Sequence, residues 1–474
     1  MSLRVASESV VSELERGGLE EILSPADSAR YSKRVSSYFS LTAQKKPFCF
    51  VHPKTTEQVS QILQALVANP DARFAIRSGG HVMWGASNID DGICIDLGLQ
   101  MNRTSIDKEN RTVSIQPGAR WRDVYKALEP HGLAVAGGRS GGVGVAGMLT
   151  GGGISWYIPR VGFCGDQLVN AEVVLADGRV VHANADENAD LFRALKGAGG
   201  GTSASSRAST CARCPTTGSG RATPERSADH VAAMRRFTDD SERFPDSSYI
   251  VLWNYEPSRF EDVVITTFLA NTKGVENPAE LKQVCDIPPM ARDLRQTSLH
   301  DFAVSMDQPM GMHNYWHTTT FLKDERIISK AVSLHAAAVS KIQAASQTGR
   351  FSSLCLFQSL PHYYGRLGAE RGGGNVMGLD RALRGAQRRH AADEDGTVRG
   401  VGLAAAREFW EGVEAFAREV GGFVDWTYLN YADRAQEPLR TLRDPGEVRR
   451  TAVKYDPTGV FQTRAPGGFK ISDV

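Results

Sequence analysis

The sequence predicts an α+β protein, in which strands and helices are interleaved without the regular strand–helix–strand order of parallel α/β folds. Short apolar or alternating segments, the pattern of strands, recur in the first 200 residues and again in the middle of the chain. Segments with helical spacing separate them, and an Asp-Gly turn at 177–178 joins two strands into a hairpin. Glycine accounts for 47 of the 474 residues, about 10%, whereas its usual share is about 7%. This excess indicates places where the backbone must lack a Cβ atom.

Capping and turn residues give the order of the elements in the first half. Residues 7–40 are expected to be helical with a polar face. A helix at 55–67 follows the capping sequence TTEQ, and a helix at 121–129 ends at His131-Gly132. The strands predicted in this half lie at 48–51, 74–77, 93–95, 112–115, 170–175 and 180–181.

The second half is predicted to contain its own sheet. Strands are expected at 249–255, 263–269, 352–358 and 423–428, and helices around 328–347 and 403–420. We find no internal repeat in the sequence.

The composition excludes several classes of protein. A chain of 474 residues is long enough for two or three domains. Its 55 Lys and Arg against 54 Asp and Glu lack the basic excess of nucleic-acid-binding proteins. Hydrophobic residues at 41% and charged residues at 23% argue against disorder.

The N-terminus and the cysteines point to a reducing compartment. The first 18 residues lack the apolar stretch of a signal peptide, and no run of about 18 apolar residues occurs, so we expect a cytoplasmic protein without a membrane partner. Seven scattered cysteines suggest free thiols. Cys211 and Cys214 form a lone CxxC without a second pair, and we expect no metal site. Oligomeric state cannot be deduced from these patterns.

Two glycine-rich loops carry the strongest chemical signal. They lie at 77–87, directly after a predicted strand, and at 137–153. Successive glycines let backbone N–H groups converge on phosphate oxygens without hindrance from Cβ atoms; the alternative is that both are simply flexible loops. Gly142, Gly144 and Gly147 have the spacing of a Rossmann fingerprint, but no strand–helix–strand unit follows, so we reject that interpretation.

Several motifs follow one another in a fixed order along the chain. They are RSGGH at 77–81, QPGA at 116–119, GMLTGGG at 147–153, GD at 165–166, LKGAGGG at 195–201, YLNY at 428–431, KYDP at 454–457, VFQ at 460–462 and PGGF at 466–469. With these motifs the chain resembles the berberine bridge enzyme-like branch of the FAD-linked oxidases, which share the p-cresol methylhydroxylase-type fold. The resemblance spans residues 47–470.

The resemblance implies a two-subdomain FAD-binding fold plus a substrate domain with a large antiparallel sheet flanked by helices. The expected division is an N-terminal helical segment at 1–44, an FAD-binding domain at 45–220, a substrate-binding domain at 221–420, and a return to the FAD domain at 421–474. The implied cofactor-binding residues are Arg77, Ser78, Gly79, Gly80, His81, Pro117, Gly118, Ser140, Val143, Gly144, Gly147, Gly151, Gly152, Gly153, Asp166, Val173 and Asn430.

The same resemblance implies how the flavin is attached. His81 matches the histidine that bonds covalently to the flavin in this family; the alternative is an ordinary loop histidine. Many relatives add a thioether link from a cysteine at the position of Ser140, so we expect a single covalent link here. Val143 stands where oxidases of the family keep a small side chain near the flavin, which fits access of O2.

Tyr428 is the implied catalytic residue. In the family this tyrosine removes a substrate proton while hydride passes to the flavin, and Asn430 holds the flavin ring. The alternative is that Tyr428 is only a strand aromatic. Tyr157, Gln358 and His317 are candidates for the substrate pocket, with a structural role as the alternative for Gln358 and His317.

Two segments depart from the family pattern. Residues 202–214 are polar and rich in Ser and Arg where relatives have a central apolar strand, so their strand propensity is very low. A one-base shift permits NFGIVTRF there, and a similar shift permits an apolar strand within 381–400. The hypothesis that follows is a disrupted reading frame over about 202–225 and 381–400, with the CxxC as an artefact.

These observations predict an FAD-dependent oxidase. The substrate would be an alcohol, an amine or an activated C–H of a small organic molecule, more consistent with a secondary metabolite than a sugar, and O2 would be reduced to H2O2. The alternatives are an inactive or misfolded flavin-fold protein from a disrupted frame, and a flavin dehydrogenase that uses another acceptor.

Overall fold

The computed structural model describes residues 2–199, 203–207, 209–210, 216–346, 349–370, 373–379, 386–393 and 399–474. In the first 200 residues, strands and helices are interleaved. The helices there are α1 (Leu3–Arg16), α2 (Ala29–Ser36), α3 (Thr56–Ala68), α4 (Trp121–Leu128), α5 (Val145–Thr150), α6 (Ile158–Val161) and α7 (Ala189–Ala194). The strands there are β1 (Leu23–Pro25), β2 (Cys49–Val51), β3 (Phe74–Arg77), β4 (Ile93–Asp96), β5 (Thr104–Asp107), β6 (Thr112–Ile115), β7 (Leu133–Ala134), β8 (Leu168–Val174) and β9 (Val180–Ala183).

The second part of the chain begins with strands and ends with helices. Its strands are β10 (Ser203–Arg207), β11 (Ser209–Thr210), β12 (Thr216–Ala222), β13 (Ser247–Tyr255), β14 (Val264–Asn271), β15 (Ala291–Gln296), β16 (His313–Phe321), β17 (Phe351–Gln358), β18 (Ala386–Asp393) and β19 (Phe423–Val424). Its helices are α8 (Ser227–Asp240), α9 (Lys282–Asp286), α10 (Leu299–Ser305), α11 (Glu325–Ala345), α12 (Tyr363–Glu370), α13 (Arg399–Glu419), α14 (Pro445–Tyr455) and α15 (Val460–Thr463). No helix in the described ranges is both long enough and apolar enough to cross a membrane.

The first part of the chain contains a four-stranded sheet, which leads into the first glycine-rich loop, and a five-stranded sheet. One has the order β1-β2-β4-β3, with β2 and β3 both parallel to β4. The other is antiparallel, in the order β5-β6-β10-β8-β9. Because β3 ends at Arg77, the first glycine loop leaves the carboxyl end of a strand.

An eight-stranded antiparallel sheet dominates the second part, in the order β15-β12-β14-β13-β17-β18-β16-β19. Side chains alternate between its faces, as the pleat requires. Val251 and Trp253 of β13 join a core with α8, α11 and α13, whereas Ile250 and Leu252 face the opposite way, into a cavity. The predicted α+β class and the large antiparallel sheet flanked by helices are confirmed.

Most predicted elements lie within a few residues of their expected bounds, with three differences. Residues 7–40 are not one helical region, because the Gly17-Gly18 pair, with Gly18 at φ +74°, ends α1 and β1 follows before α2. The strand expected at 423–428 ends at Val424, because the chain then turns inward and buries Trp426 and Tyr428.

The third difference concerns the Ser- and Arg-rich segment at 202–214. Strand β10 lies in it, although the segment has a low strand propensity. The backbone of β10 pairs with β6 and β8 on either side, and β12 pairs with β14 and β15. Tertiary context overrides local propensity in strands between two partners. β18 likewise lies between β16 and β17. Of the two segments in the reading-frame hypothesis, 202–225 and 381–400, residues 202, 208, 211–215 (with Cys211 and Cys214), 381–385 and 394–398 lie outside the described residues.

Candidate active site

One large cavity lies between the glycine-rich loops and the open face of the eight-stranded sheet. Its volume is about 1220 Å³. Pockets for a single drug-sized ligand usually measure about 300–1,000 Å³. The cavity therefore has room for a large cofactor and a small substrate together.

The two glycine loops meet backbone to backbone at one wall of the cavity. A Cβ on Gly79 would lie 2.5 Å from the Cα of Gly144, and a Cβ on Gly144 would lie 2.8 Å from Ser78 Oγ. Gly80 has a φ of +64°, a left-handed conformation that favours glycine. Bare backbone is thus required at this contact, as the sequence predicted.

Arg120 fastens the two loops together, and sequence reasoning missed it. Its guanidinium donates to the carbonyl oxygens of Gly79, at 2.7 Å, and Gly142. Burial, together with the charge of neighbouring arginines, lowers its pKa to about 10. The guanidinium therefore remains charged at neutral pH and keeps both loops in place.

Many of the predicted cofactor-binding residues line the cavity. These are Ser78, Gly79, Gly80, His81, Pro117, Ser140, Val143, Gly144, Gly147, Val173 and Asn430. His81 is half-buried, and its ring stacks on Phe39 with the ring centroids 4.1 Å apart. Residues as far apart in the sequence as Ser78 and Asn430 thus lie on the lining of one cavity.

The other predicted cofactor residues lie behind that wall. Arg77 is fully buried, where it donates to the carbonyl oxygens of Arg34 and Ser37 and lies 3.7 Å from Asp96. Asp166 is buried as well, and it accepts hydrogen bonds from the backbone N–H of Phe163 and the side chain of Asn375. In this arrangement both residues support the loops from inside the core.

The remaining glycines outside the lining permit close packing. A Cβ on Gly118 would collide with Leu97, one on Gly151 with Asn430, one on Gly152 with Met377 and one on Gly153 with Cys164. Gly152 and Gly153 also have positive φ angles, of +97° and +76°. Their glycine identity follows from packing and conformation.

Ser140 is hydrogen-bonded to Asp307, which lies in the loop after α10. Its hydroxyl donates to Asp307 Oδ1 at 2.7 Å, and the backbone N–H of Gly142 donates to the same oxygen at 2.7 Å. Arg122 lies 3.5 Å from the other carboxylate oxygen. Asp307 therefore ties the second glycine loop to the wall that carries the sheet.

Two tyrosines and an arginine form the polar centre of the cavity. Tyr428 is buried, and its hydroxyl accepts a hydrogen bond from Asn430 at 3.1 Å. Tyr431 lies edge-on to it, with the ring centroids 4.8 Å apart, and its hydroxyl accepts a hydrogen bond from Arg139. Burial raises the pKa of Tyr428 well above its ordinary value of 10, and Tyr431 adds to this, whereas Asn430 and the charge of Arg139 oppose it.

Tyr431 and Arg139 were not identified from the sequence, although each carried a signal. Tyr431 closes the same YLNY motif as Tyr428, and Arg139 is the charged residue in an otherwise uncharged glycine tract. The sheet side of the pocket was also missed. It follows from alternation along three strands, which places in the cavity Ile250, Leu252, Asn254, Thr266, Phe268, Leu354 and Leu356.

The three predicted substrate candidates lie outside the cavity lining. Tyr157 is buried in an apolar cluster with Trp121 and Leu168. Gln358 is buried at the end of β17. His317 stacks on Trp410, with the ring centroids 4.4 Å apart, and its Nε2 lies 3.2 Å from Glu414 Oε1. Each has a structural setting in the fold.

Comparisons with known proteins agree with this geometry. An FAD binding domain family matches residues 47–184. The FAD-dependent monooxygenase sdcF of Emericella nidulans is 34% identical over 461 residues, which cover 94% of each chain. The solved 6-hydroxy-D-nicotine oxidase of Arthrobacter nicotinovorans has a TM-score of 0.78 at 18% identity, covering 94% of this chain and 97% of that one. A berberine bridge enzyme variant has a TM-score of 0.76 at 16% identity, covering 97% and 99%.

The fold and the cavity thus define an FAD-binding oxidoreductase with the p-cresol methylhydroxylase-type architecture. The residues present fit the cofactor, because two loops whose contact at Gly79 and Gly144 leaves no room for a Cβ line a cavity larger than a small substrate needs. The chain belongs to the berberine bridge enzyme-like family of FAD-linked oxidoreductases.

Proposed function

We propose that the protein is a flavin-dependent oxidase of a small, largely apolar organic molecule, with a secondary metabolite as substrate. This proposal rests on the lining of the cavity. The two glycine-rich loops and His81 line the same cavity as Tyr428, Tyr431 and the apolar side chains of the eight-stranded sheet. Bound FAD would accept two electrons from an alcohol, an amine or an activated C–H, and O2 would take them up to give H2O2.

The glycine loops would hold the cofactor, and His81 would attach it covalently. The Arg120 clamp keeps the loop at Gly79 and the loop at Gly142 in fixed register. Ser140 is engaged with Asp307 and carries no thiol, which supports a single covalent link through His81. The Asn430 side chain donates to the Met148 carbonyl oxygen at 2.9 Å and so is fixed at the cavity wall.

The proton acceptor belongs to the pair Tyr428 and Tyr431. Tyr428 is the residue expected from the sequence, but its burial makes the phenolate costly. Tyr431 is more open to the cavity. We assign the contact with the substrate to Tyr431, with Tyr428 behind it.

The test begins with the flavin itself. The purified protein is denatured in acid, and yellow fluorescent material that stays on the polypeptide reports covalent flavin. His81→Ala is expected to release it, whereas His131→Ala, at an exposed site, is expected to retain it. A colourless preparation would instead favour an inactive product of a disrupted reading frame, which sequencing of the transcript would test separately.

A monooxygenase is the second candidate, because the relative sdcF carries that name. Oxygen consumption and H2O2 release against a panel of apolar alcohols and phenols separate the two. An oxidase forms one H2O2 for each substrate oxidised, whereas a monooxygenase places one oxygen atom in the product. Turnover only with an artificial electron acceptor would identify a dehydrogenase. Tyr431→Phe is expected to lower turnover more than Tyr428→Phe does.

A further inference from the structure

Arg139 is a cation that its surroundings leave open for a ligand. It lies in the second glycine loop, is half-buried and lines the cavity. Its protein contacts are a hydrogen bond to the Tyr431 hydroxyl and the face of Trp156, whose ring centroid is 5.5 Å from the guanidinium carbon. Within the described part of the chain, no carboxylate pairs with it. A guanidinium has five N–H donors, so most of them are not used by these contacts.

The walls beside Arg139 are apolar and partly aromatic. Trp156 belongs to a cluster with Ile250 and Phe302, against which Phe268 and Leu356 also pack. Ile250, Phe268 and Leu356 themselves line the cavity. Such walls accommodate a flat apolar body, while a charged group in a partly desolvated site selects an oppositely charged partner.

We propose that Arg139 is the substrate anchor, and that it binds an ionised oxygen, a carboxylate or an acidic phenol, on a largely apolar ring compound. The inference rests on the proposed oxidase function and narrows its substrate class. An oxygen held by Arg139 lies next to the Tyr431 hydroxyl, since that hydroxyl accepts a hydrogen bond from the same guanidinium. The anchor therefore presents the adjacent part of the substrate to the tyrosine pair.

Two other arginines of the same cavity, Arg221 and Arg259, lack this combination. Arg221 is exposed and lies over the ring of Phe260 at 5.8 Å. Arg259 is exposed too, and it donates to Glu256 at 3.2 Å. Charges in such exposed positions are screened by water and salt. Arg221 consequently provides a matched control in the same cavity.

The test is a calorimetric titration of the flavin-loaded full chain with three probes. They are naphthalene carboxylate, its neutral amide, and nitrophenolate. The variants are Arg139→Gln, Arg139→Lys and Arg221→Gln, each checked for flavin content and melting temperature. The flavin colour reports the proposed function, and the titration reports the anchor, so their failures are distinguishable.

We expect an anionic probe to bind the wild type and to bind Arg139→Gln about ten- to a hundredfold more weakly, the usual loss for a charge-assisted hydrogen bond. Arg139→Lys should recover part of the affinity, and Arg221→Gln should stay within about twofold of the wild type. The neutral amide should not respond to Arg139→Gln. The anion whose affinity falls more in Arg139→Gln then identifies carboxylate or phenol.

Three results would overturn the inference. The first is equal affinity of wild type and Arg139→Gln for both anions, which would leave Arg139 with a role toward Tyr431 alone. The second is loss of affinity in Arg221→Gln instead. The third is a yellow protein that binds neither anion.

Discussion

A buried histidine directly after β2 should make the stability of the fold depend on pH. His52 is 1% exposed, with its Nε2 3.1 Å from Ser24 Oγ and its Nδ1 3.8 Å from Asp96 Oδ2. Asp96 is itself held by Arg34 at 2.6 Å. Burial lowers the pKa of His52 from 6.5 to about 4, even though Asp96 opposes the change.

The direction of the effect follows from the two pKa values. Between pH 6.5 and about 4 the unfolded chain binds a proton at His52 that the folded chain does not, so stability is lost as the pH falls through this range. One pKa unit corresponds to about 1.4 kcal/mol, so the full loss is about 3 kcal/mol. At about pH 5, most of it, about 2 kcal/mol, should already be lost.

The assay compares urea unfolding of the wild type and His52→Gln at about pH 7.5 and about pH 5. The glutamine retains a polar group near Ser24 but does not titrate, so the variant should lose about 2 kcal/mol less than the wild type on acidification. His131→Gln, at an exposed position, should follow the wild type. Equal losses in the wild type and His52→Gln would refute the reasoning, since every other titrating group is common to both.

Three further predictions concern the loops and the core. Gly144→Ala should lower the flavin-to-protein absorbance ratio severalfold, because its Cβ would press on the facing loop; Gly402→Ala, with open space around its Cβ, should not. Asp307→Ala should lower the unfolding free energy by about 2–4 kcal/mol, as it removes the acceptor of two hydrogen bonds. Lys196→Met should lower the free energy of unfolding in urea by about 1–3 kcal/mol, because it removes the buried ammonium whose charge acts on the buried carboxylate of Asp166.

The glycine cradle could be predicted from sequence because its cause is local. Gly79 and Gly144 lie in loops whose composition already indicates bare backbone, and the family motifs fix their order. That the two loops touch each other could not be deduced, because the contact depends on Arg120, the residue just before α4, which reaches both loops. Long-range hydrogen bonds of this kind leave no periodic signal in a sequence.

The polar centre of the site illustrates the same limit. The YLNY motif points to Tyr428, but only the three-dimensional arrangement shows that Tyr428 is buried and that Tyr431 is more open to the cavity. Arg139 and Tyr431 are 292 positions apart, and nothing in either segment refers to the other. The motif indicates where the two tyrosines lie, and their different burial supports the proposal that Tyr431 contacts the substrate.

Alternate residues of a single strand in the large sheet face either the core or the cavity. In β13, Val251 and Trp253 pack with the helices of the core, whereas Ile250 and Leu252 face the cavity. The period of two in a strand makes these sets independent. Truncation of Val251 should therefore lower stability in the manner of any buried aliphatic side chain, while truncation of Leu252 should mainly reshape the pocket. Substitutions at Ile250, Leu252 and Asn254 should thus change the lining of the cavity without disturbing the core that holds the sheet to its helices.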